Sequence, residues 1–254
     1  MKKLVQDFEV LRKDELNDEH FVLDVKALKP LPEIHPGQFV NVLVKDSSTT
    51  FLRRPLSIHF VDYEQNIIKL YIKKIGEGTK KLGELVKGDS LNIVFPLGNQ
   101  YSIPENSNTL LVGGGCGVAP LLYLAKHLHK AGNKVTTILG VRSAKDAVEL
   151  DAYKAYGNIL VTTEDGSFGE KGYPTQHSAL DKETFDYVFT CGPEPMMKAV
   201  ATYAKKKDIP CEVSLENTMA CGFGACLCCV TETTTGNKCT CTEGPVFNIN
   251  DLKW

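Results

Sequence analysis

The chain has 254 residues, 43% hydrophobic and 24% charged, with a formal net charge of −2. That is ordinary globular composition, enough for two modest domains and a small appendage. No basic run asks for nucleic acid, and no apolar run reaches the length of a membrane span. The start, Met1-Lys2-Lys3-Leu4-Val5-Gln6-Asp7, lacks the apolar stretch of an export signal, so a cytoplasmic protein with reduced thiols is expected.

Three blocks follow one another: residues 1–102, 103–211 and 212–254. The first reads as short alternating strands at 20–28, 38–44, 55–61, 67–73 and 90–95, broken by turns. One amphipathic helix is predicted at about 79–86. Strands this dense predict an antiparallel barrel or sandwich. Two of its segments suit an anion. Arg53-Arg54-Pro55-Leu56-Ser57 begins a strand, and Arg54 and Ser57 can both reach a pyrophosphate, the arginine by a charge-assisted fork. Gly76-Glu77-Gly78-Thr79 opens the helix, and a helix N-terminus attracts anions. Together the two segments could clamp one FAD pyrophosphate from two sides. An Arg-Arg pair alone is more often a solvated face.

Near residue 105 the pattern changes. Apolar runs at 109–112, 135–141, 159–162 and 187–190 alternate with helical stretches at 120–130 and 195–206. That alternation predicts a parallel sheet covered on both faces. Gly113-Gly114-Gly115-Cys116-Gly117-Val118-Ala119-Pro120-Leu121 links a strand to a helix, and its glycines allow close backbone approach to a dinucleotide pyrophosphate. It departs from G-x-G-x-x-G, since Val118 stands where the last glycine would be. Cys191-Gly192-Pro193-Glu194-Pro195-Met196 forms a second such turn. Both turns fall at carboxyl ends of strands, where open parallel sheets bind ligands.

The third block carries six of the nine cysteines. Cys221, Cys226 and Cys229 stand in C-x4-C-x2-C spacing, the plant-type arrangement for a [2Fe–2S] cluster. The fourth ligand is Cys239 or Cys241; spacing alone does not choose. Gly222 and Gly224 let three thiolates converge from one loop and bring N–H donors near them. Structural zinc prefers two separated cysteine pairs. Disulfide frameworks suit small secreted domains. Six buried free cysteines would not need this spacing.

The three blocks in this order resemble the ferredoxin–NADP reductase superfamily: an antiparallel flavin-binding barrel, a parallel-sheet nucleotide-binding domain and a small C-terminal [2Fe–2S] subdomain. Arg54-Pro55-Leu56-Ser57, Gly113–Leu121 and Cys191-Gly192-Pro193 carry that resemblance. With Glu216-Asn217-x-Met219-x-Cys221-Gly222-x-Gly224 and Cys241-Thr242-Glu243-Gly244-Pro245-Val246-Phe247, the whole chain is similar to the electron-transfer subunits of bacterial class 1B dihydroorotate dehydrogenases.

The resemblance implies a fourth cluster ligand at Cys241, just before Gly-Pro-Val-Phe. It implies FAD contacts at Tyr71, Ile72, Lys73, Gly78 and Thr79, NAD(H) contacts at Gly113, Gly114, Gly115, Gly117, Cys191, Gly192 and Pro193, and a nicotinamide-side role for the 163–169 segment. It also implies an FMN-containing catalytic subunit as partner, in a heterotetramer of two plus two. Dihydroorotate would be oxidised there, and electrons would reach NAD+ through this chain. No side chain here is expected to act as catalytic acid or base. Cys116, Cys228 and Cys239 are thiols beyond the family pattern. Two rival readings are a reductase subunit of a sulfide dehydrogenase or bifurcating NAD(P)H–ferredoxin reductase, and a non-catalytic redox-sensing module. Cysteine at the first ligand position speaks against the bifurcating relatives, some of which carry aspartate there.

Overall fold

The computed structural model describes residues 2–45 and 47–254. The first unit contains β1 (Leu4–Glu15), β2 (His20–Ala27), β3 (Phe39–Val42), β4 (Arg54–Ser57), β5 (Phe60–Asp62), β6 (Ile67–Lys73), α1 (Glu77–Leu82) and β7 (Ser90–Leu97). The strands form one antiparallel sheet in the order β4-β3-β7-β1-β2-β6-β5. The expected single strand at 55–61 is two strands with a corner between them. There the Ile58 N–H donates to Gln38 O, beside β3, and the His59 N–H donates to Lys69 O on β6, both at 3.0 Å. The corner joins the two edges of the sheet, which curls round as a barrel.

Alternation fills its interior. Phe21, Leu23 and Val25 on β2 face Ile68, Leu70 and Ile72 on β6, all at most 1% exposed. The intervening residues point outward, where Lys69 Nζ meets Asp24 at 3.0 Å. The predicted helix begins earlier and ends at Leu82, because Gly83 closes it. β1 gave no apolar run to read, since only Phe8 and Val10 along it are buried.

The second unit contains β8 (Asn108–Gly114), α2 (Leu121–Lys130), β9 (Lys134–Val141), α3 (Leu150–Lys154), β10 (Asn158–Thr163), β11 (Glu170–Lys171), α4 (Ala179–Lys182), β12 (Tyr187–Cys191), α5 (Glu194–Lys207) and β13 (Cys211–Ser214). After it come β14 (Val230–Thr233), β15 (Gly236–Cys239) and β16 (Val246–Asn248). The sheet order is β11-β10-β9-β8-β12-β13-β16; β16 alone runs antiparallel, against β13. The chain builds outward from β8 through β9 and β10, then crosses to build β12 and β13 on the other side. The direction therefore reverses between β8 and β12. The expected boundary at 211/212 falls inside β13, and β16 returns to the same sheet. The cysteine-rich segment thus leaves from this sheet and comes back to it.

The barrel and the sheet meet along the corner of the barrel and the start of α2. The His59 ring lies between Ala119 O (2.8 Å) and Glu149 Oε2 (2.5 Å), and the Tyr123 hydroxyl donates to Ile34 O at 3.2 Å. Burial pushes the Glu149 carboxyl up, but the hydrogen bond and charge of His59 outweigh it and hold the carboxyl below its ordinary range.

Candidate functional site

A cavity of about 910 Å³ opens between barrel and sheet where the strand order reverses. Open α/β sheets bind ligands at such a point, and the volume is that of a cofactor pocket. Gly114 and Gly115 from the end of β8, Gly192 and Pro193 from the end of β12, and Tyr71 and Lys73 from β6 line it. Gly115 (φ +53°) has open space where a side chain would stand. Gly117 is different: a Cβ there would collide with the Cys191 carbonyl and Gly192 Cα, so this glycine lets the two turns sit back to back. A Cβ on Gly113 would meet Val118 and Leu121 at 3.0 and 3.1 Å.

The expected dinucleotide residues therefore divide. Gly114, Gly115, Gly192 and Pro193 face the cavity; Gly113, Gly117 and Cys191 stand behind it and hold its wall. Cys191 is fully buried, and its thiol faces Glu216 Oε1 at 4.0 Å. Cys116 does reach the cavity, its thiol pushed up to about 11 by burial. From the 163–169 segment, Glu164 and Asp165 line the opposite wall.

The expected flavin residues divide as well. Tyr71 is buried between the rings of His20 and His59, at 5.6 and 5.5 Å. Lys73 Nζ pairs with Glu19 at 3.0 Å. Ile72 points the other way, into the barrel core, so only its backbone is open to a ligand. The two arginines split across β4. Arg53 ties strands together, donating to Asn41 O, Asn92 O and Asn92 Oδ1. Arg54 turns to α1: a Cβ on Gly78 would meet its Nε at 2.7 Å. The two anion-binding segments read from the sequence are thus neighbours. Arg54, Pro55, Leu56 and Ser57 are all half-buried along β4. The Thr79 hydroxyl accepts from the Ile75 and Gly76 N–H groups and so shapes the first turn of α1. These residues fit a flavin dinucleotide: Arg54, Ser57 and the Gly78-Thr79 turn would hold its pyrophosphate, and Tyr71 to Lys73 would edge its ring.

The thiols gather on the far side of the segment that leaves β13. Gly222 (φ +79°) and Gly224 (φ +92°) have left-handed backbone, and Cβ atoms there would meet Asn41 Nδ2 at 2.7 Å and Thr242 Cγ2 at 2.8 Å. Both glycines are therefore required twice over, by conformation and by space. The loop wraps Cys221: the N–H groups of Phe223 and Ala225 approach its Sγ at 3.5 and 3.3 Å. Burial raises that thiol, but these donors, with the N–H and thiol of Cys226, outweigh it and lower it to about 6. A thiol lowered in this way is suited to ligating a metal.

The Cys241 N–H donates to Cys229 Sγ at 3.4 Å. Burial and the Cys229 thiol push Cys241 up to about 12. Cys221 pairs with Cys226, and Cys229 with Cys241. Among the described residues no three His, Cys, Asp or Glu side chains converge on a single ion. Two thiol pairs suit a group with two irons better than one tetrahedral zinc. Cys239 also approaches Cys229, but the carboxylate of Glu243 stands beside it. We therefore propose Cys221, Cys226, Cys229 and Cys241 as the ligands. Cys228 is exposed and takes part in neither pair.

Two barrel residues that the sequence did not reveal fix this loop. Asn41 Nδ2 donates to Cys221 O at 3.1 Å. Asn99 Nδ2 donates to Glu243 O and Val246 O, at 2.9 and 2.8 Å, and its Oδ1 accepts the Val246 N–H. Their partners lie more than 140 residues away, so no local signal marked them.

Residues 216–253 match the iron-sulfur cluster binding domain of dihydroorotate dehydrogenase B, and residues 111–202 match the oxidoreductase NAD-binding domain. Over 227 residues the chain is 39% identical to the dihydroorotate dehydrogenase B (NAD+) electron transfer subunit of Fusobacterium nucleatum, covering 86% of each. The chain belongs to this family. The corresponding subunit of Shouchella clausii is 35% identical over 98% of this chain and 96% of its own length. A solved NADH-dependent reduced ferredoxin-NADP oxidoreductase is 33% identical, with a TM-score of 0.87 over 97% of this chain and 90% of that one. The fold is ferredoxin-reductase-like, and the cofactors are an iron–sulfur cluster, FAD and NAD(H). No helix among the described residues is long and apolar enough to cross a membrane.

Serine at Cys221, Cys226, Cys229 or Cys241 should remove most visible cluster absorbance, whereas Cys228→Ser and Cys239→Ser should keep it. Normal cluster content in Cys241→Ser would overturn the fourth ligand. Arg54→Ala should weaken FAD retention about ten- to a hundredfold, the range for losing a charge-assisted hydrogen bond. Unchanged FAD content after dilution and gel filtration would remove Arg54 from the site.

Proposed function

We propose that this chain serves a dihydroorotate dehydrogenase B, taking electrons from a separate FMN-bearing catalytic subunit and delivering them to NAD+. The observation that carries this is connectivity: the segment bearing the thiols starts at the wall of the redox cavity, so electron entry and exit are built into one chain. When bound, the cluster carries single electrons, and FAD converts between single electrons and the hydride that nicotinamide takes.

The chain's own residues do the rest. Arg54 and the first turn of α1 hold the flavin's pyrophosphate. Gly114, Gly115, Gly192 and Pro193 leave backbone room for the nicotinamide nucleotide, and Tyr71 and Lys73 close the barrel side. Asn41 and Asn99 bind the thiol loop to the barrel and so fix its distance from the cavity. On the outer face Cys226 is exposed between Phe223 (48% exposed) and Leu227 (64%), an apolar rim for the catalytic subunit. Two copies of each chain would make the assembly, in the cytoplasm, where thiols are kept reduced.

A second reading follows from the likeness to the ferredoxin-NADP oxidoreductase, which has been described in terms of flavin-based electron bifurcation. On that reading the partner would supply ferredoxin-linked electrons. A redox-sensing module without catalysis would not need the cavity.

Dihydroorotate-dependent NAD+ reduction should appear only when this chain is mixed with the FMN subunit. It should vanish with Cys226→Ser while NADH–dye activity of the same variant persists. Dihydroorotate oxidation by this chain alone, or activity with ferredoxin and none with dihydroorotate, would overturn the proposal.

A further inference from the structure

The glycine turn that follows β8 is gripped where it ends. The Tyr153 hydroxyl donates to Val118 O at 2.6 Å, and His59 Nδ1 lies 2.8 Å from Ala119 O. Tyr153 belongs to α3, and His59 to the corner of the barrel. Glu149 caps the start of α3, one turn before Tyr153, and closes the circuit: its Oε2 lies 2.5 Å from His59 Nε2. It does so from left-handed backbone (φ 59°), a conformation uncommon for a residue with a side chain and kept where the surroundings require it. The His59 ring also packs 5.5 Å from that of Tyr71, the residue that would edge the flavin.

These partners fix the number of protons. A carbonyl oxygen can only accept, so Nδ1 carries a hydrogen to Ala119 O. Two lone pairs do not meet at 2.5 Å, so a second proton lies between Nε2 and Oε2. The Glu149 carboxyl is held below its ordinary range by the hydrogen bond and charge of His59, which leaves that proton on the ring. His59 is 1% exposed, so it is an imidazolium shut away from water. The other ionisable groups around the pair are Lys69 and Tyr71 of β6, Tyr153 of α3 and Cys116 in the glycine turn. Burial makes Tyr71, Tyr153 and Cys116 weaker acids, and Lys69 is paired with Asp24 at 3.0 Å.

We propose that the proton shared by His59 and Glu149 is a latch that sets the nucleotide turn against the flavin edge, which makes these two a positioning pair for hydride transfer between NAD(H) and flavin. With the proton in place, one ring ties the barrel corner to Ala119 O and to α3, and packs on Tyr71 of the strand that would edge the flavin. Without it, an imidazole lone pair faces a carboxylate, and the bond between barrel and α3 becomes a repulsion. Neither residue lines the cavity; both act through its walls, the glycine turn on one side and Tyr71 on the other. The proposal rests on the flavin and nucleotide sites proposed above, and its test separates the two.

The test uses the full chain loaded with flavin and cluster, in anaerobic stopped flow with saturating NADH, where a hydride passes from NADH to FAD and leaves NAD+ and reduced flavin. Glu149→Ala should slow flavin bleaching about ten- to a hundredfold, the range for a misplacement of about one ångström, while FAD content and the half-saturating NADH concentration change far less. Glu149→Gln separates latch from scaffold, because its amide N–H can donate to Nε2 in place of the shared proton. Wild-type bleaching should slow as rising pH strips that proton. Glu149→Gln should keep a rate near wild type at neutral pH and lose this dependence, which a merely structural contact would not alter. Nitrogen-15 spectra of the histidine-labelled chain should show both His59 ring nitrogens protonated in the wild type and Nδ1 alone protonated in Glu149→Gln, the signal being assigned by its loss in His59→Gln. A neutral His59 ring in the wild type, a wild-type rate in Glu149→Ala, or an unchanged pH profile in Glu149→Gln overturns the proposal alone. A wild-type flavin that NADH does not bleach overturns the electron-transfer reading, and the proposal with it.

Discussion

The pairing of β13 with β16 is the constraint on which the rest depends. Glu212, Val213 and Ser214 face Asn248, Phe247 and Val246 in antiparallel register. The thirty-odd residues between these strands form one closed excursion, both ends of which are pinned to the same edge of the parallel sheet. An excursion of that length with little regular structure would be costly to order by itself. Here its two ends are held by a sheet whose other strands are already buried, through Val213, Phe247 and Ile249 in the core around α5.

Because its base is fixed, the excursion can be aimed. It crosses to the barrel, where Phe39, Val94 and Leu97 pack against Met219, Cys229 and Cys241. Asn41 and Asn99 then complete the attachment through backbone carbonyls of the excursion itself. The barrel, the parallel sheet and the thiol loop meet pairwise, and the cavity lies where the first two meet. Thiols and cavity are thus held at a set separation by three contacts, and an electron wire depends on a fixed separation.

Much of this was legible in the sequence where a pattern is local. The period-two alternation of 67–73 matches β6 at both ends, and the alternation of apolar runs and helices announced the parallel sheet. The glycines of the thiol loop were legible because positive φ and close contact both demand them. What stayed hidden was long-range. Half of β1 is charged, since one of its faces is solvated along nearly its whole length. Three-residue β16 is too short to show any period, so its return to the parallel sheet left no local signal. The corner at Ile58-His59 looked like continuous strand because both halves are apolar enough. At the cavity, motifs name residues but not directions: Ile72 and Cys191 belong to expected motifs, and their side chains point into cores. Which face a residue presents depends on register, and register is set by partners far along the chain.

The claim that one chain joins nicotinamide cavity to cluster is tested most directly by low-temperature electron paramagnetic resonance of the purified chain, without its partner, after anaerobic addition of NADH. The account predicts a reduced [2Fe–2S] signal approaching one spin per chain, together with bleaching of the flavin. Flavin bleached by NADH with no cluster signal, in a chain whose iron and sulfide content is full, would contradict it.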